Sequence, residues 1–163
     1  MPDQKKSSEG LAKDDYELLA EFRYTLRKFL GFSETMAVKH GVTAQQYQAL
    51  LAIEGFPGRN WVTVGELAER LRTTHHSAVG LVDRMETLKL VCREKSSEDR
   101  RRVHVTLTAK GRGLLEKLYR VHRAELATVG PHLIGLLQKA SADVPSAPPT
   151  YSSPACFMPE IED

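Results

Sequence analysis

The spacing of apolar residues changes twice along this chain, and that change narrows what it can fold into. After Thr74, the residues Ala78, Leu81, Val82, Met85 and Leu88 recur at i, i+3, i+4 and i+7, which is helical spacing. From Val91 the period drops to two: Val91, Arg93 and Lys95 alternate with Cys92 and Glu94. A polar run, Ser96 to Arg101, interrupts the pattern, and alternation resumes with Val103, Val105 and Leu107 against His104 and Thr106. This is the pattern of a β-hairpin. Thr108 then caps a return to helical spacing through Leu114, Leu115, Leu118, Val121, His122 and Leu126.

The segments upstream place this unit in context. Thr63-Val64-Gly65-Glu66 is a capping box that opens a short helix with Leu67, Ala68 and Leu71 inward. Only Arg72, Thr73 and Thr74 separate it from the next helix, so the pair reads as a helix-turn-helix. A second capping box, Thr43-Ala44-Gln45-Gln46, starts an earlier helix with Tyr47, Leu50 and Leu51 on its inner face. Gly55, Pro57 and Gly58 stop it, and Trp61-Val62 is a short extended stretch. Residues 14–39 form a long helix carrying Leu18, Phe22, Leu26, Phe29 and Leu30, ended by Gly41. Gly130-Pro131 is expected to start a last helix with Leu133, Leu136 and Leu137 on its apolar face, because proline suits the first helical position.

The expected fold is therefore mainly α with a small β-hairpin. A winged helix-turn-helix reading head (43–107) lies between N- and C-terminal dimerisation helices (14–39 and 108–140). Residues 1–13 read as a flexible N-terminus. Residues 141–163 hold five of the chain's eight prolines and read as a flexible or extended tail. Within the tail, Cys156-Phe157-Met158 is apolar, and the simplest reading leaves it free.

Several function classes drop out. No run of about 18 apolar residues exists, so no membrane span is expected. The opening Met1-Pro2-Asp3-Gln4-Lys5-Lys6 leads into polar sequence, and the expected address is the cytoplasm. Cys92 and Cys156 have no zinc spacing, and the adjacent His75 and His76 cannot share a metal as an i, i+4 pair would. Neither a metal nor a cofactor is expected. There is no G-x-S-x-G, no P-loop and no H-E-x-x-H, so an enzyme is not expected.

Charge points the other way. The chain's net charge is only +2, but residues 75–112 hold nine Lys/Arg against five Asp/Glu. A basic middle in an otherwise slightly acidic chain suggests a polyanion-binding surface. The second helix of a helix-turn-helix enters the DNA major groove with its first residues at the base edges. Here those residues are Thr74, His75, His76 and Ser77, with Gly80 a turn further and Arg84 toward the backbone. The wing tip carries Glu98-Asp99-Arg100-Arg101-Arg102. Three adjacent arginines on an exposed turn repel one another, and a narrow minor groove gives a reason for them. Asp99, two residues before Arg101, can hold that guanidinium in a fixed fork.

These stretches resemble the MarR family of bacterial transcriptional regulators. The likeness covers about residues 14–140. It rests on Val64-Gly65-Glu66-Leu67-Ala68-Glu69-Arg70-Leu71, on Ala78-Val79-Gly80-Leu81-Val82-Asp83-Arg84-Met85-Glu86, and on Asp99-Arg100-Arg101-Arg102 running into Leu107-Thr108-Ala109-Lys110-Gly111. The resemblance implies a homodimer on a palindromic DNA operator, a recognition helix at 74–88, and a minor-groove Arg101 supported by Asp99. The chain departs from the family pattern at Lys89, where a glycine is usual, and at Gly80, where a polar residue is common. A left-handed backbone at Lys89 would cost on the order of 1 kcal/mol.

The long helices carry more apolar stripe than one small winged helix covers, which fits the implied dimer. Many relatives lose DNA affinity when a small aromatic or lipophilic ligand binds between the dimer helices and the reading head, so the resemblance implies a repressor of nearby genes released by such a ligand; candidate pocket residues are Tyr24, Phe32, His40, Trp61 and His122. Two other readings remain: a winged helix that binds protein, and a thiol-based redox regulator acting through Cys92.

Overall fold

In a computed structural model, residues 12–95 and 102–142 are described. The elements run α1 (Lys13–Lys39), α2 (Ala44–Glu54), β1 (Trp61–Val62), α3 (Val64–Arg70), α4 (His75–Thr87), β2 (Val91–Lys95), β3 (Val103–Leu107) and α5 (Ala109–Ala142). The expected mainly helical architecture with a β-hairpin is present. The hairpin gains a third strand, because Trp61 and Val62 pair antiparallel with Thr106 and Val105 and give the order β1-β3-β2. Alternation made Trp61-Val62 extended, but a two-residue strand carries no signal for its partner.

The helix starts follow from their caps. Thr43 and Thr63 each accept the backbone N–H of the residue three ahead, and Gln46 and Glu66 reach back to the N–H groups of Thr43 and Thr63. Thr74 Oγ1 accepts from Ser77 N at 3.2 Å and caps α4.

Three helix ends, those of α1, α3 and α4, share one device. After α1, Val42 N donates to Ala37 O at 3.1 Å and Gly41 N to Val38 O at 3.0 Å, with Gly41 at φ +79°. This is a Schellman ending. The ends of α3 and α4 repeat it with non-glycine residues in the left-handed position: Arg72 at φ +53° and Lys89 at φ +57°. There Thr73 N reaches Ala68 O, and Leu90 N reaches Met85 O. The left-handed backbone considered for Lys89 is thus present.

One expectation fails. No new helix starts at Gly130-Pro131; α5 runs unbroken through both residues to Ala142. Proline's fixed φ is compatible with a helix, and its loss is one N–H donor to the carbonyl four residues back. That carbonyl belongs to Ala127, and Ala127 and Pro131 are both exposed, so water is available to it. Leu51 also departs, pointing outward from α2 while Ala49 and Ile53 join Tyr47 and Leu50 inside.

The core gathers Leu50, Ile53, Val62, Leu67, Leu81, Val82, Met85, Val105, Leu115 and Leu118 under the sheet. Antiparallel packing joins α1 to α5: His122 Nε2 meets Ser33 Oγ at 2.8 Å, and further along His132 meets Glu21 at 3.1 Å. Both helices keep large apolar side chains outside: Tyr16, Leu19, Tyr24, Leu30 and Val38 on α1, and Tyr119, Leu126, Ile134 and Leu137 on α5. No helix among the described residues is long and apolar enough to cross a membrane.

Candidate nucleic-acid interface

Helix α4 is two-faced. Ala78, Leu81, Val82 and Met85 are buried, and His75, His76, Ser77, Asp83 and Arg84 are exposed. Thr74, also exposed, donates from its hydroxyl to Ser77 Oγ at 2.9 Å, so the two hydroxyls lie together at the exposed start of the helix. A helix N-terminus with short polar side chains suits a phosphate. A Cβ on Gly80 would lie 3.4 Å from Arg84 Nη1, the end of a flexible side chain, so packing does not require a glycine there.

The wing rises beside α4. Arg102 is exposed immediately before β3. Asp99, Arg100 and Arg101, expected at the tip, lie outside the described residues.

Sequence reasoning missed how the hairpin is held. Arg93 occupies the inward register of β2, opposite Val105. Its guanidinium lies 2.8 Å from Asp83 Oδ1 and also pairs with Glu86, and its N–H donates to Glu86 Oε1 at 3.0 Å. The wing strand is thereby tied to α4. The signal was available: an arginine in the inward phase of a strand needs an acid, and Glu86 lies seven residues back.

The far end of α4 is clamped as well. Thr108 Oγ1 donates to Lys89 O at 2.6 Å, and Lys110 Nζ donates to Leu88 O at 2.8 Å. A cation there also meets the negative end of the helix dipole. Gly111 lets the start of α5 approach: a Cβ on it would lie 2.0 Å from Leu90 O. The Thr108-Ala109-Lys110-Gly111 stretch therefore closes the C-terminal end of α4.

Beneath the sheet edge, burial pushes the Glu66 carboxyl upward, but hydrogen bonds from Thr63 and the Arg59 guanidinium outweigh it and hold it below its ordinary value of 4.5.

The five candidate pocket residues do not share one site. Phe32 and His122 come together with Phe29 and Tyr47. His122 is buried, stacked on Tyr47 at 4.6 Å, with Leu118 O and Ser33 Oγ at its two ring nitrogens. Tyr24 is exposed beside Lys28, and His40 is exposed against Met36 O of its own helix. Trp61 stacks on His104 at the sheet. Cys92 Sγ lies 3.1 Å from Thr106 Oγ1 and 3.7 Å from Glu94 Oε1. Its chain neighbour Arg93 faces the other way, onto α4, so the cation that would support a reactive thiolate is turned from it. Among the described residues no cluster of three or more metal-ligating side chains occurs.

A model of the MarR family matches residues 40–102, the span from the end of α1 to the wing. Residues 40–102 are thus similar to the MarR family, and the described part of that span folds as a winged helix-turn-helix. The transcriptional activatory protein BadR of Rhodopseudomonas palustris is 34% identical over 96 residues, which cover 58% of this chain and 55% of that protein. The chain thus matches about half of that relative's length. Among solved structures, a MarR family protein from Bacillus stearothermophilus matches with TM-score 0.66 at 23% identity, over 81% of this chain and 99% of the other. AbsC, a MarR family transcriptional regulator from Streptomyces coelicolor, matches with TM-score 0.65 at 22% identity, over 82% and 93%. A MepR variant of S. aureus bound to an oligodeoxyribonucleotide matches with TM-score 0.59 at 20% identity, over 76% and 94%. At these identities the structural likeness speaks to the MarR fold. The proteins named here as regulators are not enzymes.

Proposed function

We propose that this MarR-family chain is a transcriptional regulator that binds double-stranded DNA as a homodimer at a palindromic operator. The observation that carries the reading is the exposed first turn of α4, with Thr74, His75, His76 and Ser77 beside a basic wing. In this reading Thr74 and Ser77 meet phosphate, His75 and His76 meet base edges, and Gly80 and Arg84 follow along the groove. Arg100, Arg101 and Arg102 meet the minor groove, with Asp99 orienting Arg101. The exposed apolar rows on α1 and α5 support the dimer, since a two-fold axis through them matches a palindromic site.

The regulator acts as a repressor of nearby genes, released by a small aromatic or lipophilic ligand. Such a ligand must bind the geometry that does not bind DNA better than the one that does. The rings of Phe29, Phe32, Tyr47 and His122 already pack together, so a ligand between the dimer helices and the reading head displaces aromatic contacts. The sign is open to direct test, because the BadR relative is named as an activatory protein; a reporter assay that rises with the regulator overturns the repressor reading.

Fluorescence anisotropy tests the core of the proposal, with DNA from upstream of the chain's own gene against scrambled DNA at several salt concentrations. Sequence-dependent binding that weakens steeply with salt is expected. Binding to neither DNA favours the protein-interaction reading and refutes this one. Arg101→Ala should weaken binding by about 1–3 kcal/mol if the groove contact is made, and unchanged affinity removes Arg101 from the interface.

A further inference from the structure

The wing leans on a stack of planar side chains that lies away from the proposed DNA contacts. Trp61, the chain's one tryptophan, stacks on His104 with ring centres 3.4 Å apart and planes 15° apart. The β1–β3 ladder consists of Trp61↔Thr106 and Val62↔Val105. His104 lies beyond it toward the wing tip, so the indole reaches it diagonally and extends the support that the short β1 provides. The Arg59 guanidinium carbon sits 3.8 Å from the Trp61 ring centre and 4.2 Å from that of Phe56. Two planar groups so near one ring centre occupy opposite faces, so Trp61 is held between Arg59 and His104. Arg59 is in turn fixed by Glu66, whose other oxygen accepts Thr63 N at 2.8 Å and Thr63 Oγ1 at 3.0 Å at the start of α3. Stacked cation–aromatic contacts of this kind are directional, so the chain of contacts runs from the helix-turn-helix to the wing without a flexible link.

We propose that Arg59 and Trp61 are positioning residues for DNA binding: the Arg59–Trp61–His104 stack sets the tilt of the wing hairpin against α3, and so where the wing arginines arrive relative to the first turn of α4. This rests on the DNA-binding reading above.

The test is a double-mutant cycle by anisotropy, on the upstream duplex used above, with wild type, Trp61→Leu, Arg101→Ala and the double variant. Trp61→Leu should weaken binding about tenfold. The loss caused by Arg101→Ala should shrink at least about threefold in the Trp61→Leu background, because the arginine is no longer delivered to its groove. Trp61→Phe, which keeps a ring to stack, should recover most of the affinity. Wild-type binding with the same Arg101→Ala loss in both backgrounds overturns the positioning role alone. No binding by the wild type overturns the DNA reading and this proposal together. If Trp61→Leu does not fold, Arg59→Met takes its place in the cycle, with the same coupling expected and the same additivity refuting it.

Discussion

Gly111→Ala is the substitution on which the joint between α4 and α5 can be judged. The added Cβ would lie 2.0 Å from Leu90 O, 2.9 Å from Leu90 C and 3.3 Å from Leu90 Cα. All three are backbone atoms, so no side chain can swing aside, and one segment must move by more than an ångström. That motion strains the bonds that close the joint: Thr108 N to Leu90 O at 3.0 Å, Thr108 Oγ1 to Lys89 O at 2.6 Å and Lys110 Nζ to Leu88 O at 2.8 Å. At about 0.5–1.5 kcal/mol net for each hydrogen bond, losing two or three costs about 2–3 kcal/mol. Alanine's better helix propensity returns about 1 kcal/mol. The net expectation is a loss of about 1–2 kcal/mol, or about 2–8 °C in Tm for a chain of this length. Gly113 is the control, two residues on in the same helix, where a Cβ meets nothing within 4 Å. Gly113→Ala should gain up to about 1 kcal/mol from propensity alone. Both are measured by thermal and urea unfolding at one fixed protein concentration, since a dimer's stability depends on it. The signs should be opposite. A Gly111→Ala protein as stable as Gly113→Ala would refute the close approach and the capping role with it.

Lys89→Gly should stabilise by about 1 kcal/mol, because φ +57° strains a side-chain-bearing residue and not glycine; a lower urea midpoint would show that the lysine side chain outweighs the strain. Glu66 has a folded pKa below its unfolded one, so its contribution is present above the unfolded value near 4.5 and is lost as pH falls through the folded value. Glu66→Gln keeps the cap but not the charge, so it should be less stable than wild type at neutral pH and lose less on acidification below about pH 4.5; parallel urea midpoints against pH for the two proteins would refute the assignment. Arg93→Ala should destabilise by about 1 kcal/mol and reduce the cost of a further Glu86→Ala to that of losing the hydrogen bond from Arg93 N; full additivity would show that the side chains do not interact.

What was legible in the sequence was whatever depends on local chemistry. The capping threonines and the change of period at Val91 follow from neighbours within a few residues, while a left-handed Lys89 was suggested only by the glycine usual there in the resembling family. The misread residues depend on distant partners or on exposure. Pro131 looked like a start signal because proline suits a first turn, but it also sits inside an exposed helix where water reaches the freed carbonyl. Leu51 fits an apolar stripe by spacing, while Ala49 and Ile53 take the inner face. In the candidate interface, the exposed residues of α4 and the need of an inward Arg93 for an acid could be named from the sequence, but its pairing with Asp83 as well as Glu86, and Lys110 on Leu88 O, could not. Those contacts join elements whose packing the sequence does not spell out.

These contacts also limit how such a reading head can be regulated. Helix α4 is capped by Thr74 at one end and held by Thr108 and Lys110 at the other. The wing is tied to α4 through Arg93 and to α3 through Trp61, Arg59 and Glu66. A unit fixed at this many points resists bending within itself. The joint at Gly111 makes the start of α5 part of that unit, while α5 continues along α1 with its apolar row outward. In the proposed dimer, a unit held at this many points is expected to move as one piece. An effector that loosens DNA binding would act by changing the separation of the two α4 helices, because half-site spacing is the quantity a palindromic operator fixes.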